Sequence, residues 1–375
     1  MGKKSVMIIA GEASGDLHGS NLVKAMHEKD DSLFFFGIGG PALKDSGVKI
    51  LVDASELSVV GITEVFSKIP SLFRGITLAK RLLKSLHPDL LILIDFPDFN
   101  LHIAKAAKKL NIPVLYYISP QIWAWRSGRV KKIGERVDHV VVILPFEEDF
   151  YKRYNIPVTF VGHPLLDTYP PQMDKAPKGN AEEVTAIGLL PGSRDREVAR
   201  HLPLMLDAAL ILAKRIKAAS FIVSLAPSVN RAYVEEIIRK YTGFAGVELT
   251  TDPVQNIFDQ CRFVIASSGT VTLEAAISGT PMVIIYKVSP VSAWVGRALI
   301  RVKNAGLVNL IAGKEIVPEL LQSEASPGNI ADTVFNMLSD VSGLERLKNE
   351  LLNTRDLLGR PGASKRAANI AMKML

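Results

Sequence analysis

The sequence predicts an α/β fold with two Rossmann-like domains, each built on a parallel sheet, that face each other across a cleft. Strand-like apolar runs alternate with amphipathic segments through residues 1–165. A proline-rich stretch then interrupts this pattern, and a second alternating series follows it. Such alternation is typical of parallel sheets with right-handed crossovers.

The first domain, residues 1–165, has short strand candidates rich in Val, Ile, Leu and Phe. The uninterrupted apolar run Leu90–Ile94 predicts a strand covered on both faces, because alternating polarity would mark a half-exposed strand. Ligands of open α/β sheets bind outside the carboxyl ends of the strands, so Asp95 is our candidate catalytic base. The strand candidates are Ser5–Ala10, Phe34–Ile38, Asp89–Asp95, Pro113–Ile118, His139–Ile143 and Val158–Val161.

The stretch Pro164–Glu183 contains four prolines and little apolar periodicity, which indicates an interdomain linker at residues 166–182. The second domain then covers residues 183–345, and the helical pattern of residues 346–375 is expected to pack back on the first domain. The strand candidates of the second domain are Ala186–Leu190, Ala219–Leu225, Val247–Thr250, Phe263–Ala266 and Met282–Tyr286.

The composition narrows the class of protein. Of the 375 residues, 48% are hydrophobic, which suffices for two packed cores and excludes general disorder. The single cysteine, Cys261, excludes a disulfide framework, and the histidines show no metal-ligand spacing. We therefore expect no structural metal site, and we also expect no cofactor. The first apolar run is too short for a signal peptide, and none is long enough to span a membrane, so a cytoplasmic protein is expected.

The net charge of +7 favours anionic partners such as nucleotides, phosphorylated substrates or an acidic membrane surface. No zinc finger or aromatic RNA-binding motif accompanies the basic residues, so nucleic acid is not an expected partner.

A glycine-rich turn, Gly11–Gly19, follows the first strand and leads into a helix. Glycines permit close backbone approach to a ligand, so Ser14, Gly15 and Asp16 are candidate substrate contacts. The turn matches neither G-x-G-x-x-G nor a Walker A loop, which argues against a dinucleotide dehydrogenase and a P-loop ATPase. An ordinary turn with Ser14 or Asp16 as a helix cap is the alternative.

Two turns in the second domain contain groups that are suited to binding phosphate. Arg194 follows Pro-Gly-Ser at a strand end, and a guanidinium binds phosphate with two parallel hydrogen bonds. The segment Ser267-Ser268-Gly269-Thr270 offers backbone N–H groups for a diphosphate, and Glu274, one turn further, can accept from a ribose. The alternatives are a surface arginine and an ordinary capped helix with Glu274 favouring the helix dipole.

Two further segments point to a lipid-linked sugar. Gln121, Trp123, Trp125 and Arg126 can hold a sugar face or an acyl chain, although core packing explains one tryptophan equally well. The segment Val59–Lys84 combines bulky apolar residues at helical spacing with five basic residues, which favours an interfacial helix over a core-facing one. Its candidate membrane-contacting residues are Ile62, Phe66, Ile69, Leu72 and Phe73.

Taken together, the motifs resemble those of bacterial lipid-A-disaccharide synthases, a family of inverting, metal-independent glycosyltransferases with the two-domain GT-B architecture. The match extends in order over residues 5 to 322. Its segments are Ala10–Asp16, Val60–Val65, Ile94–Asn100, Ile118–Arg126, Leu144–Glu147, Phe160–His163, Leu189–Arg194, Ala266–Thr270 and Leu307–Gly313.

The resemblance implies that UDP-diacylglucosamine and diacylglucosamine 1-phosphate form a β-1,6 disaccharide and UDP in lipid A biosynthesis. Asp95 would be the base, and Arg194 with the Ser267–Thr270 turn would stabilise the leaving UDP. Residues 1–165 would then bind the acceptor and its lipid, and residues 183–345 the UDP-sugar. Glu274, Asn309 and Gln322 would complete the UDP site, and Asp98 and Asn100 would bind the acceptor or fix the Asp95 loop.

The same resemblance implies a monomer or homodimer on anionic phospholipids at the inner face of the inner membrane. Two alternatives stay open at this point. One is another UDP-sugar enzyme of the same fold, such as an epimerase or a peptidoglycan glycosyltransferase. The other is a non-catalytic lipid-binding protein of the membrane surface.

Overall fold

The computed structural model describes residues 3–54, 62–125, 128–169, 185–241, 246–288 and 304–375, with the backbone alone for 62–72 and 124–125. The chain divides into two compact units. Unit 1 comprises Met1–Thr168 and Leu358–Leu375, and unit 2 comprises Tyr169–Leu357. Each unit contains one parallel sheet, so the predicted class of two parallel-sheet α/β domains is confirmed.

Unit 1 has a seven-stranded sheet in the order β3-β2-β1-β4-β5-β6-β7. The chain builds outward from β1 in one direction and from β4 in the other. The loops that follow these two strands therefore diverge and leave a crevice at the carboxyl edge, where doubly wound proteins bind ligands. The strands are β1 Ser5–Ala10, β2 Phe34–Gly39, β3 Lys49–Asp53, β4 Leu90–Ile94, β5 Val114–Tyr117, β6 His139–Val142 and β7 Val158–Phe160.

Helices cover both faces of this sheet, and every residue of β4 is buried, as the unbroken apolar run predicted. α3, α4 and α6 pack on one face, and α1 and α16 pack on the other. The helices of unit 1 are α1 Ala13–His27, α2 Pro41–Asp45, α3 Ile62–Leu86, α4 Pro97–Lys109, α5 Ile122–Trp125, α6 Arg129–Arg136, α7 Pro145–Lys152, α8 Leu165–Thr168 and, from the C-terminus, α16 Ala363–Met374.

Unit 2 has a six-stranded sheet in the order β10-β9-β8-β11-β12-β13. Here the strand order reverses between β8 and β11, which places the second crevice beside the ends of these two strands. The strands are β8 Thr185–Leu190, β9 Ala219–Ser224, β10 Val247–Thr250, β11 Phe263–Ser267, β12 Met282–Tyr286 and β13 Glu319–Leu321. The helices are α9 Asp195–Arg215, α10 Arg231–Arg239, α11 Val254–Gln260, α12 Thr270–Ile277, α13 Leu307–Ala312, α14 Pro327–Ser339 and α15 Val341–Leu357.

Two edge strands, β3 and β13, were not among the strand candidates. β3 carries Lys49 and Asp53 at its ends, and β13 has only three residues. Edge strands are often short or charged, because this limits pairing with other chains, and the apolar signal is then weak. Within the part of the chain that the structure describes, no helix is both long and apolar enough to cross a bilayer.

Candidate active site

Asp95 lies immediately after β4, at the point where the strand order of unit 1 reverses. Both Asp95 and the next residue, Phe96, adopt left-handed backbone conformations, with φ of +44° and +46°. Residues other than glycine are strained in this region, so the turn requires support from its surroundings. Such strain is commonly concentrated at functional sites.

Hydrogen bonds from buried polar side chains hold the Asp95 turn in place. The Asp95 carbonyl accepts hydrogen bonds from Tyr116 Oη at 2.7 Å and from Asn100 Nδ2 at 2.6 Å. Asn100 Nδ2 also lies 3.1 Å from the Ile94 carbonyl, and the Asp95 N–H donates to the Ile118 carbonyl at 3.2 Å. Asn100 is fully buried, so its amide supports the backbone of the turn and is not exposed to a ligand.

The glycine-rich turn after β1 also supports the Asp95 turn. A Cβ atom on Gly11 would lie 2.4 Å from Cγ of Phe96, so only glycine lets the Phe96 ring pack there. Gly15 is buried against Ile94. The Asp16 carboxylate accepts from the N–H groups of Gly40 and Ala42, at 2.6 and 2.8 Å, at the start of α2.

The structure therefore engages Gly15 and Asp16 in packing and hydrogen bonding within the protein. Of the three candidates in this turn, only Ser14 is exposed.

The Asp95 carboxyl has an unusual proton affinity. Burial and, to a smaller extent, the nearby Glu12 carboxylate raise its pKa to about 6, although the Phe96 N–H acts in the opposite direction. A carboxylate with a raised pKa is a stronger base that is still ionised at neutral pH. Asp95 is thus suited to accept a proton from a substrate.

The Asp95 side chain lines a cavity of about 280 Å³ at the carboxyl edge of the sheet. Arg129, the first residue of α6, also lines this cavity and forms an ion pair with Asp98. Sequence reasoning did not single out Arg129, because it lies in a helix with three other basic residues. The remaining lining residues are Pro97, Ile118, Ser119, Pro120, Gln121 and Ile122.

Trp123 follows Ile122, which lines this cavity, and its indole nitrogen forms a hydrogen bond within the protein. Nε1 donates to Glu147 Oε1 at 3.0 Å, and the ring packs edge to face on Phe146 with centroids 4.7 Å apart. Glu147 is buried, which raises its pKa to about 7, and its second oxygen accepts from the Leu144 N–H at 3.1 Å. The side chain of Trp125 and all of Arg126 lie outside the described residues.

In unit 2, Arg194 follows the Pro-Gly-Ser turn after β8. Its side chain is 58% exposed and forms a 3.1 Å ion pair with Glu197. Glu197 also accepts from the Ser193 N–H at 3.1 Å, so one carboxylate orders both the turn and the guanidinium.

The Ser267–Thr270 turn leaves β11, the strand adjacent to β8. Ser267 is buried, and Ser268 is fixed by a bond from its N–H to the Ile285 carbonyl at 3.2 Å and from Oγ to the Ala305 carbonyl at 3.1 Å. Gly269 and Thr270 are exposed where α12 begins. A Cβ on Gly269 would meet no atom of the described residues within 4 Å, so none of these residues packs against the turn at this point.

Two other predicted nucleotide-binding residues of unit 2, Glu274 and Gln322, are half-buried. Glu274 accepts a hydrogen bond from Tyr169, and burial raises its pKa. Gln322 follows β13, and its side-chain oxygen accepts from the Val288 N–H at 3.4 Å.

Asn309, in α13, is fully buried. Its amide donates to the Val317 carbonyl at 2.9 Å and to Glu319 at 2.7 Å, and its oxygen accepts from the N–H of Ile316 at 2.8 Å. The structure therefore places Asn309 as a support of the loop before β13.

Comparison with solved structures defines the class of this fold. The chain aligns with a UDP-GlcNAc 2-epimerase from Neisseria meningitidis with a TM-score of 0.64 at 14% identity, covering 98% of this chain and 100% of the other. It aligns with CalG4, the calicheamicin glycosyltransferase, with a TM-score of 0.61 at 14% identity, covering 100% and 99%. The fold is that of the GT-B glycosyltransferases and their epimerase relatives.

The sequence comparisons then identify the family. Residues 6–374 match the lipid-A-disaccharide synthetase family model, and the chain belongs to that family. It is 46% identical to the lipid-A-disaccharide synthase of Geobacter metallireducens, over 99% of this chain and 97% of the relative. It is 45% identical to that of Syntrophus aciditrophicus, over 100% and 99%.

Family membership confirms the resemblance inferred from the motifs. The chain is an enzyme, a glycosyltransferase of lipid A biosynthesis. The alternatives of a different UDP-sugar enzyme and of a non-catalytic lipid-binding protein are not favoured.

Replacing Gly11 with alanine should disturb the Asp95 turn, because the added methyl group would collide with the Phe96 ring. We expect a loss of about 1–3 kcal/mol of stability, which is typical of overpacking, together with reduced turnover. Thermal unfolding and initial rates measure the two effects. Gly328→Ala is the matched control, since no atom in the described part of the chain lies within 4 Å of the added Cβ. Equal melting temperatures and rates for the two variants would contradict the role of Gly11.

Replacing Asp95 with asparagine should stabilise the protein at alkaline pH. The pKa of Asp95 in the folded state, about 6, lies above its ordinary value of 3.8, so the folded state loses stability as pH rises through this window. Asparagine cannot ionise. We therefore expect the free energy of unfolding of Asp95→Asn to exceed that of wild type by up to about 2 kcal/mol at about pH 8. At about pH 4 the two proteins should be equally stable.

Differential scanning fluorimetry across this pH range measures the effect. Asp45→Asn, at an exposed carboxylate, is the control and should show no such trend. A constant difference at all pH values would indicate that the ionisation of Asp95 is not involved.

Proposed function

We propose that the chain transfers the sugar of UDP-2,3-diacylglucosamine to the 6-hydroxyl of 2,3-diacylglucosamine 1-phosphate, which yields a β-1,6 disaccharide and UDP. The family implies a UDP-sugar and a lipid acceptor as substrates. The single observation that carries the residue assignment is the half-buried Asp95, with a pKa of about 6, at the edge of an open cavity.

In this proposal Asp95 is the general base. Its carboxylate takes the proton of the acceptor 6-hydroxyl as that oxygen bonds to the anomeric carbon of the donor. The bond from that carbon to the UDP oxygen breaks on the opposite side, so the configuration inverts, and UDP leaves with the electron pair. A base with a pKa near 6 is ionised at neutral pH and retains appreciable basicity.

The leaving UDP requires stabilisation of the charge that develops on its diphosphate. We assign this to the Arg194 guanidinium and to the exposed turn at Gly269 and Thr270. Glu274 would exchange its hydrogen bond from Tyr169 for one from the ribose. Ser267, Ser268, Asn309 and Gln322 would hold the surrounding loops in place.

The acceptor sugar would occupy the cavity beside Asp95, with Gln121 in its wall and Trp123 next along the chain. The Glu147 bond that fixes the Trp123 indole supports this assignment, because a stacking platform must be rigid. Ser14 is a further exposed candidate. Trp125 and Arg126, which belong to the same sequence motif as Trp123, are also proposed as acceptor contacts.

We also propose that α3 binds anionic phospholipid at the cytoplasmic face of the inner membrane. Ile76, Ala79 and Leu83 face the core, whereas Phe73 is 64% exposed and Leu78 is also exposed. Four cationic side chains are exposed on the same part of the helix, Arg74, Lys80, Arg81 and Lys84. Apolar and cationic groups together suit a lipid interface. The side chains of Ile62, Phe66, Ile69 and Leu72 lie outside the described residues.

Mass spectrometry of products after incubation with the two substrates tests the reaction. Wild type should form the disaccharide and UDP, and Asp95→Asn should lower turnover roughly a thousandfold, because the base is lost. Calorimetry should show UDP binding unchanged in Asp95→Asn and weakened in Arg194→Met. The wild-type kcat/KM should fall tenfold per pH unit below about 6, where Asp95 becomes protonated. Undiminished turnover of Asp95→Asn would remove this residue from the mechanism.

Replacing Phe73 with serine should weaken binding to vesicles that contain anionic phospholipid, since an exposed aromatic group would no longer enter the interface. Vesicle co-sedimentation measures the bound fraction, and we expect a several-fold decrease. Tyr233→Ser removes an exposed aromatic residue from a helix of unit 2 and serves as the control. The membrane assignment fails if Phe73→Ser and Tyr233→Ser bind as strongly as wild type.

A further inference from the structure

We infer that Arg129 recognises the anomeric phosphate of the acceptor and thereby selects a phosphorylated sugar over a neutral one. This inference rests on the proposed function and deepens it. The observation behind it is that a base and a guanidinium line the same cavity.

The charge distribution within this cavity is simple. Among the described residues that line it, Asp95 is the acid and Arg129 is the basic residue, and the other six are neutral. The neutral residues are Pro97, Ile118, Ser119, Pro120, Gln121 and Ile122. A ligand of this cavity therefore meets one proton acceptor and one permanent cation, since guanidinium does not lose its proton in proteins.

Tyr116 lies within the electrostatic influence of both charges. Burial raises the pKa of Tyr116 and the Asp95 carboxylate raises it further, whereas the Arg129 guanidinium acts in the opposite direction. Both charges therefore act on one hydroxyl, which itself donates to the Asp95 carbonyl. The Arg129 guanidinium forms its ion pair with Asp98, a different carboxylate. The base and the cation therefore line one cavity while the cation is held by Asp98.

The ion pair between Arg129 and Asp98 can be exchanged for a ligand at low cost. The Arg129 side chain is only 15% exposed, whereas that of Asp98 is 70% exposed. Asp98 is exposed, so water can solvate its carboxylate after release, and it lies in the first turn of α4, where the helix dipole favours a carboxylate. The largely buried Arg129 would stay paired, because the phosphate replaces Asp98. Phosphate offers more charge and a geometry that guanidinium binds with two hydrogen bonds. Asp98 would therefore hold Arg129 in position until the acceptor binds.

The acceptor has the matching arrangement of groups. In a glucosamine 1-phosphate, the anomeric carbon and the carbon that bears the hydroxymethyl group are both bonded to the ring oxygen. The phosphate and the 6-hydroxyl therefore lie along the same edge of the sugar. With the hydroxyl at Asp95, the phosphate is directed along the cavity wall, where Arg129 can receive it.

Steady-state kinetics with two acceptors, diacylglucosamine with and without the 1-phosphate, test this inference. Wild type should prefer the phosphorylated acceptor. Arg129→Gln should lower kcat/KM for that acceptor roughly 10- to 100-fold, mainly through KM, because a charge-assisted hydrogen bond is lost. It should lower kcat/KM for the neutral acceptor much less, so that the preference between the two acceptors falls. Arg129→Lys, which retains the charge but not the paired donors, should keep part of the preference.

Lys131→Gln, at an exposed position of the same helix, is the matched control and should retain the full preference. Equal losses on both acceptors for Arg129→Gln would overturn the inference, since they would indicate a structural role. A wild type that makes disaccharide equally well from both acceptors would overturn it while leaving the proposed function intact. If neither acceptor gives disaccharide with wild type, the proposed function itself fails.

Discussion

The structure of unit 1 depends on keeping two consecutive non-glycine residues, Asp95 and Phe96, in the left-handed region. Such a turn persists only where its surroundings determine it. The supports come from three separate elements: Tyr116 from β5, Asn100 from α4, and the space above Gly11 after β1. The parallel sheet with its order reversed beside β4 is what brings these elements to one point.

Burial raises the pKa of two carboxyls near this point, Asp95 and Glu147, yet they are suited to different tasks. Both oxygens of Glu147 accept hydrogen bonds, from Trp123 and from the Leu144 N–H, and the side chain is enclosed. Asp95 instead lines an open cavity. A shifted pKa therefore identifies a candidate base only together with access to substrate. Glu147 is better described as the anchor of an aromatic side chain.

Much of the fold could be predicted because the signals are local. The apolar run Leu90–Ile94 predicted a doubly covered strand, and the structure confirms it. The short edge strands β3 and β13 lack such a run, so their existence depends on neighbours that are distant in sequence. The same limitation applies to the site. Asp16 and Asn309 stand within motifs, but only the folded chain shows the backbone groups that they bind. Arg129 has no local signal at all, because its proximity to Asp95 is produced by the packing of α6 against α4.

The return of the chain to unit 1 has a consequence for its synthesis. Helix α16, at the end of the sequence, covers one face of the sheet that begins at Ser5, burying Ala363, Ala367, Ala368 and Ala371 against it. On the ribosome, the strands of unit 1 are made long before this cover exists. The nascent chain must therefore carry a sheet face that α1 covers without α16 while all of unit 2 is translated, and apolar surface exposed in this way favours aggregation.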